Sequence, residues 1–480
     1  MCHKAKYQFA LIALAGAILL FLRNPDPMLV PSLYGEDAPW SSGILSGNMT
    51  AAYLRTRADY LTIGQSLLLH LAVVLNTASF GDSIAHLPQI IAGLSYLLWS
   101  STAALGFLAF RPWIRTEWRL AIAAAILLMP LGHHTNEVLG RALNLGFMFF
   151  PISVFLLALR TQLTSTRSRI MTDILLYICC CTNPLAIIVV GLHAAASAVR
   201  RQFAQRVVPV RDILMGSAIG LLCLFYVIRF GSAPPIDRGE LQAARLVEAL
   251  VARSILYPFV FPFYSALSDT VSLLLLAALG AVIVIAFRAS DERQKRFGTG
   301  ILAAAAVVIM GTIVTRYNLT TLLQGYSTTF PDRYFYAQNI MTCVVLAWAG
   351  SNLPAKTAKA ALIILCGVYM SATPNLFEWR EPQMAIATSG SLRESAKQVW
   401  DTASSPHPTQ IIHIPTYPER WSMGTPAYIV EATATDSYRS KIARPQQLTG
   451  TGKAAIGAFL IALLLVFLVV AIPGKWARHD

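Results

Sequence analysis

Glu36 and Asp37 stand side by side in the stretch LYGEDAPW, Leu33–Trp40, shortly after the first long apolar run. Two adjacent carboxylates at a membrane border are costly unless they are hydrated or employed. Acids are scarce in this chain, with 24 Asp and Glu in 480 residues. Yet Asp26, Glu36, Asp37 and Asp59 crowd into one loop together with Arg55 and Arg57. A carboxylate held there can take a proton from a hydroxyl, general-base catalysis worth about 10²–10⁴-fold. Its neighbour repels it, so one of the two is raised in pKa or pairs with an arginine. The same residues also fit a solvated loop whose charges pair with one another or with headgroups.

Other candidates lie further along. Arg333 follows Asp332 and precedes Tyr334 at the entrance to a late apolar run. Its planar fork matches phosphate oxygens; the alternative is an interfacial anchor in an aromatic belt. Glu137 and Asn144, in NEVLGRALNLGF, can orient a sugar or acceptor, or simply supply helix-end polarity. His133 and His134 can bind phosphate or a divalent ion, or form a surface pair. Trp40, Trp379, Trp400 and Trp421 can stack on sugar rings or anchor at the interface. The seven cysteines carry no metal-type spacing and no disulfide framework, and Cys179–Cys181 read as small apolar fillers.

What must position these groups is a helical membrane scaffold. Hydrophobic residues make up 55% of the chain and charged ones 13%, about half the charge of a soluble domain. Runs approaching the roughly 20 residues of a crossing recur throughout. Basic loops fall on one side if Leu61–Phe80 lies on the outer surface rather than crossing. That placement predicts 12 helices at 7–22, 84–110, 118–132, 143–160, 170–182, 184–199, 211–230, 269–287, 297–315, 333–350, 357–371 and 453–472. The inner side then carries 20 Lys and Arg against 6 acids, and the outer side 18 against 18. The whole net charge of +14 is therefore cytoplasmic, as the positive-inside rule expects. Basic loops facing membrane lipids account for it without nucleic acid. The expected organisation is a core over 1–371 with its first outer loop at 23–83, a small outer segment at 372–452 with a strand over 409–418, and a final helix and tail at 453–480.

On these motifs the chain resembles the GT-C superfamily of membrane glycosyltransferases. RNPDPML…LYGEDAPW followed by ADYLTIGQSLLLHLAVVLN is similar to the first outer loop and juxtamembrane helix of its bacterial members. NEVLGRALNLGF, TNPLA, DRYFYAQN and IPTYPERWSMGTP resemble further family pieces in the same order. Ala38 stands where a glycine usually follows the acidic pair, and 453–472 has no place in the pattern.

The resemblance implies an all-α polytopic bundle in the bacterial inner membrane with its site facing the periplasm. It implies transfer of one sugar, with inversion, from a polyprenyl-phosphate donor to a cell-surface glycan of O-antigen or capsule type. A pilin or other surface protein is a lesser acceptor; a polymerase, ligase or glycan transporter is the competing class. Asp37 is the first choice for base and Glu36 the reserve. Arg333, Tyr334, Arg55 and Arg57 are expected at the donor phosphate, and Asp26, Glu137, Asn144, His134 and Trp40 at the substrate. No cofactor is fixed, since divalent metal use varies within the superfamily. A transporter needs charges at mid-bilayer depth, whereas Asp173 and Asp212 sit near the cytoplasmic ends.

Overall fold

Helix α1 (Cys2–Arg23) turns Ala5, Phe9, Ala13 and Leu20 inward and leaves Tyr7, Leu11, Leu14, Ile18 and Leu22 exposed. The buried residues follow the spacing of one helix face, yet the opposite face is equally apolar. A chain in water rarely displays such a surface, whereas a lipid-facing helix requires it. The computed structural model describes residues 2–54, 56–57, 60–131, 135–204, 210–230, 241–316, 318–323, 325–327, 332–371, 391–403, 407, 410–417 and 421–440. Arg55, Asp59, His133, His134, Trp379 and the expected helix 453–472 lie outside the described residues.

The chain is mostly helical. Short helices α2 (Asp26–Leu29), α3 (Ala38–Leu45) and α4 (Met49–Tyr53) follow α1. A two-residue ladder, β1 (Thr56–Arg57) and β2 (Tyr60–Leu61), leads into α5 (Ile63–Phe80). Then come α6 (Leu87–Ala109), α7 (Thr116–Leu128), α8 (Thr135–Val138), α9 (Phe149–Arg160), α10 (Thr166–Thr182), α11 (Pro184–Ala204) and α12 (Val210–Phe230). The rest are α13 (Tyr257–Val260), α14 (Asp269–Ala289), α15 (Glu292–Thr315), α16 (Asn318–Leu322), α17 (Tyr336–Asn352), α18 (Ala355–Ser371), α19 (Leu392–Thr402) and α20 (Ala427–Ala434). Strands β3 (Ile411–Thr416) and β4 (Trp421–Pro426) pair antiparallel, Ile411 opposite Pro426, so the expected strand is present within 409–418.

Among the described residues, eight helical stretches are long and apolar enough to cross a membrane, the pattern of a multi-pass membrane protein. Six coincide with expected spans; the other two are Ile63–Phe80 and Ala243–Ala266, both expected outside. Hydrogen bonds fix where the ends of both stretches lie. Gln65, in the first turn of α5, donates to Leu143 O, whose residue's N–H binds Asp37. Six residues after α5 ends, α6 begins beside Met28, with Gln89 Nε2 donating to its carbonyl at 3.1 Å. Both ends of α5 therefore lie beside the loop that follows α1. Likewise Gln242 N–H binds Thr320 Oγ1, while Tyr326 OH donates to Asp269 Oδ1, so residues 243–266 begin and end against 318–327.

The expected span 118–132 is shorter, ending at Leu128. Met129 precedes Pro130 and is extended (ψ 127°), as a residue before proline prefers. The freed carbonyls of this helix end are taken inside the core: Trp99 Nε1 donates to Ile126 O, and Arg23 to Leu127 O and Met129 O. At the opposite end of the bundle, buried Arg160 binds Asp173 at 2.8 Å and Asp212 at 2.7 Å. Ser197 and Arg211 complete the pairing, which ties α9, α10, α11 and α12 together. Removing one partner of such a buried set would leave an uncompensated charge. Cys179–Cys181 are buried and free.

Apolar packing divides in two. One large cluster fills the bundle of α1, α6, α7, α9, α10, α11, α15 and α17. A second joins α3, α5, the start of α6, Ala142–Leu143, α19, β3, β4 and α20. The site lies where these clusters meet.

Candidate active site

Backbone bonds make the corner that carries the acidic pair. Asp37 N–H donates to Tyr34 O at 2.9 Å and Ala38 N–H to Gly35 O at 3.3 Å, delivering the chain into α3 with Pro39 in its first turn. Gly35 N–H donates to Tyr417 O, and Tyr417 N–H to Leu33 O, so the end of β3 pairs with the corner. A Cβ on Gly35 would stand 2.5 Å from the Trp421 ring, so only glycine lets β4 approach this closely.

Asp37 precedes α3 but does not cap it. Its Oδ1 accepts from Leu143 N–H at 2.8 Å and its Oδ2 from Ala142 N–H at 3.2 Å. Leu143 opens the 3₁₀ turn Leu143–Met148 that runs into α9, so these are helix-start donors without intrahelical partners. Only 1% of Asp37 is exposed. Burial pushes its carboxyl up to about 6; the two N–H bonds and Arg141 pull it down, and Glu36 adds to the rise. Glu36 itself is half-buried.

Arg141 is the buried cation of this half. It donates to Ser32 O at 3.0 Å and lies 5.4 Å from the Tyr34 ring centre. Burial holds its pKa below the usual arginine value, with Asp37 opposing that fall. Asp26, half-buried at the start of α2, is raised by burial and lowered by the same Arg141. The turn that presents Arg141 needs Gly140, whose φ of 81° a larger residue would resist.

A second charged pair faces the first across Tyr34. Arg333 Nη1 binds Glu137 Oε2 at 2.5 Å, with the two side chains 13% and 26% exposed. Burial works against the Arg333 charge, but Tyr334, Glu137 and Glu36 around it hold the guanidinium firmly protonated. Its Nη2 donates to Tyr334 OH at 3.3 Å, and Arg316 sits 5.3 Å from the same tyrosine ring. Asn144 Nδ2 donates to Glu137 O at 2.5 Å and so fixes the backbone beneath that acid. Tyr34 feels both halves: burial raises its pKa, as do Glu36 and Glu137, while Arg333 lowers it.

Six expected site residues thus converge: Glu36, Asp37, Glu137, Asn144, Arg333 and Tyr334. Asp26 joins them through Arg141. Trp40 is 6% exposed and belongs to the second apolar cluster. Arg333 turns its fork to Glu137 and to the Tyr334 hydroxyl. Arg57 falls in β1, and Arg55 and His134 lie outside the described residues. Among the described residues, no group of three or more His, Cys, Asp or Glu could hold a metal.

Arg141 and Tyr34 were not singled out from sequence, although both fall within quoted motifs. A lone arginine in the apolar turn Val138–Leu145 was the available signal, since a buried cation needs an acid nearby. Chemically, the site offers a carboxylate ionised at neutral pH, a second acid beside it, and a guanidinium with a tyrosine hydroxyl at the edge. Comparison of the chain with protein-family models, with characterised proteins and with solved structures finds no match.

Proposed function

We propose that this chain is a GT-C-type membrane glycosyltransferase. It moves a single sugar from a polyprenyl-phosphate donor onto a cell-surface glycan at the periplasmic face of a bacterial inner membrane. The observation that carries this reading is the meeting, at one end of the helical bundle, of a buried carboxyl raised to about 6 and the Arg333–Glu137–Tyr334 group. Asp37 takes the acceptor hydroxyl's proton as that oxygen attacks the anomeric carbon. The carbon–oxygen bond to the carrier phosphate breaks, and the phosphate leaves as an anion next to Arg333. A lipid phosphate needs no proton to depart, so one base and one cation suffice. Burial keeps the Asp37 carboxyl high, with Glu36 adding to it, and the Leu143 N–H and Arg141 keep it ionisable.

The reading also needs α5 on the outer surface, with 12 crossings in all, and the placement of both its ends beside the first loop supports that. Single cysteines at Ser46, Ser79 and Thr116 in a cysteine-free background test it. Ser46 and Ser79 are expected to react with a membrane-impermeant thiol reagent in intact cells, and Thr116 only after permeabilisation. Reaction of Ser79 only from inside would make α5 a span and overturn this topology. The function itself is tested by incubating purified protein with polyprenyl-phosphate sugars and glycan acceptors. A matching loss of one sugar from the surface glycan of a gene-deleted host is the expected companion result.

A further inference from the structure

Residues 248–256 form a π-helix, Glu248–Leu256, and this form of helix is frequent where a chain does something specific. Its cause is local. Pro258 has no N–H to return to the carbonyl of Ser254, four residues back. Thr342 Oγ1 on α17 approaches that carbonyl at 3.4 Å, and Ser254 Oγ donates five residues back, to Ala249 O.

The π-helix buries two opposite charges, Glu248 (1% exposed) and Arg253 (0%). Neither belongs to the site described above. Arg253 lies 4.7 Å and 4.1 Å from the ring centres of Tyr257 and Tyr264, and its Nη2 donates to Ser327 O at 2.5 Å. Glu248 Oε1 accepts from Tyr264 OH at 3.0 Å and from Tyr326 N–H at 2.7 Å. Tyr326 OH in turn donates to Asp269 Oδ1 at 2.7 Å and meets Ser272 Oγ at 3.2 Å. Tyr326 sits at φ 61°, a conformation a tyrosine keeps only when its surroundings impose it. An acid and a guanidinium thus hold two consecutive residues, Tyr326 by its N–H and Ser327 by its carbonyl, while the Tyr326 hydroxyl ties the same segment to Asp269 and Ser272.

The same π-helix supports what lies next to that loop. Ala249 and Leu250 pack in one small apolar cluster with Ile313, Leu319, Leu323, Phe335 and Tyr334. Tyr334 is the ring that Arg316 and Arg333 both adjoin. One polar face of the π-helix therefore grips the loop, and its apolar positions seat the tyrosine between the two arginines. We infer that the Glu248–Arg253 clasp is a positioning device that sets where Arg333 and Arg316 present their guanidiniums to the donor phosphate. Arg253, Glu248 and Tyr326 act through the arginines and touch no substrate. This inference rests on the donor-phosphate reading of Arg333.

Arg253→Lys and the milder Tyr326→Phe test it in the purified full-length protein. Both are expected to insert at normal levels and to speed amide hydrogen exchange at Tyr334 and Phe335 with no donor present. The donor KM should rise ~2- to 30-fold, the range for coupling residues without ligand contact, while kcat changes less. In an Arg333→Ala background the same substitutions should cost less than in the wild type, because of the two side chains they act through only Arg316 remains. Unchanged exchange at Tyr334 and Phe335 in both variants would overturn the clasp, as would losses that multiply with Arg333→Ala. Faster exchange in a protein that transfers no sugar even as wild type would keep the clasp and refute the donor-phosphate reading instead.

Discussion

Asp37→Asn is expected to abolish sugar transfer while the folded protein stays inserted. Loss of a general base removes about 10²–10⁴-fold of rate. Asn keeps one oxygen to accept from Leu143 or Ala142 but turns an NH₂ toward the other donor, so some local disturbance accompanies the chemical loss. Amount of folded protein alone therefore cannot separate base from tie. The pH profile can. A base must be ionised, so wild-type kcat/KM should climb with pH up to about 6 and level off above it. Glu36 contributes to raising the Asp37 carboxyl. Glu36→Gln should thus retain transfer and move the rising limb to lower pH, since the neighbouring negative charge is gone. Loss of transfer in Glu36→Gln with retention in Asp37→Asn would exchange the two roles. Retention in both would leave the acidic pair as a structural corner.

The same carboxyl gives a test that needs no substrate. Its folded pKa of about 6 lies above the roughly 3.9 of an unfolded aspartate. A group raised in this way stabilises the folded state fully below the unfolded value, and the contribution is lost as pH rises through the folded value. Thermal stability of the wild type should therefore decline across about pH 4–6 by a component that Asp37→Asn lacks.

How much of this was legible in the sequence depended on the kind of signal. The helical bundle followed from long apolar runs, because hydrocarbon leaves a backbone few alternatives. Helix ends were less legible: Pro130 stops α7 four residues short of the expected 132 through its effect on Met129, a local rule that hydropathy averages away. Glu36, Asp37, Glu137 and Arg333 were noticeable because charges are rare here. Their pairing was not, since Glu137 and Arg333 are far apart in the chain and meet only through the fold. Trp40 was noticeable as an aromatic ring beside the acidic pair, but its burial in the second apolar cluster was not. Arg141 and the Arg253–Glu248 clasp stayed hidden for a related reason. A buried cation is recognisable only by the acid and aromatic rings around it, and sequence spacing does not list those.

Arg333→Ala is the second large effect expected, on the leaving-group side. The guanidinium lies just before α17, next to Glu137 and Tyr334, and its side chain is only 13% exposed. Charge on the carrier phosphate grows as the sugar departs, so a fixed cation there stabilises the transition state more than the bound donor. Removing one such preorganised donor costs roughly 10²–10³-fold in kcat, and the donor KM should rise as well. Arg333→Lys should recover part of the loss, because the charge returns without the planar fork. Glu137 provides the internal control. With Arg333 intact, Glu137→Gln leaves the guanidinium without its carboxylate partner, and donor binding should tighten or hold while its geometry loosens. With Arg333 gone, Glu137 becomes a half-buried acid facing an anionic donor, so Glu137→Gln should then restore some binding to Arg333→Ala. Transfer measured against donor concentration for the four purified variants reads all of this. Unchanged kinetics per folded molecule in Arg333→Ala would reduce the pair to a structural bridge between α8 and α17, and the phosphate would have to be held elsewhere.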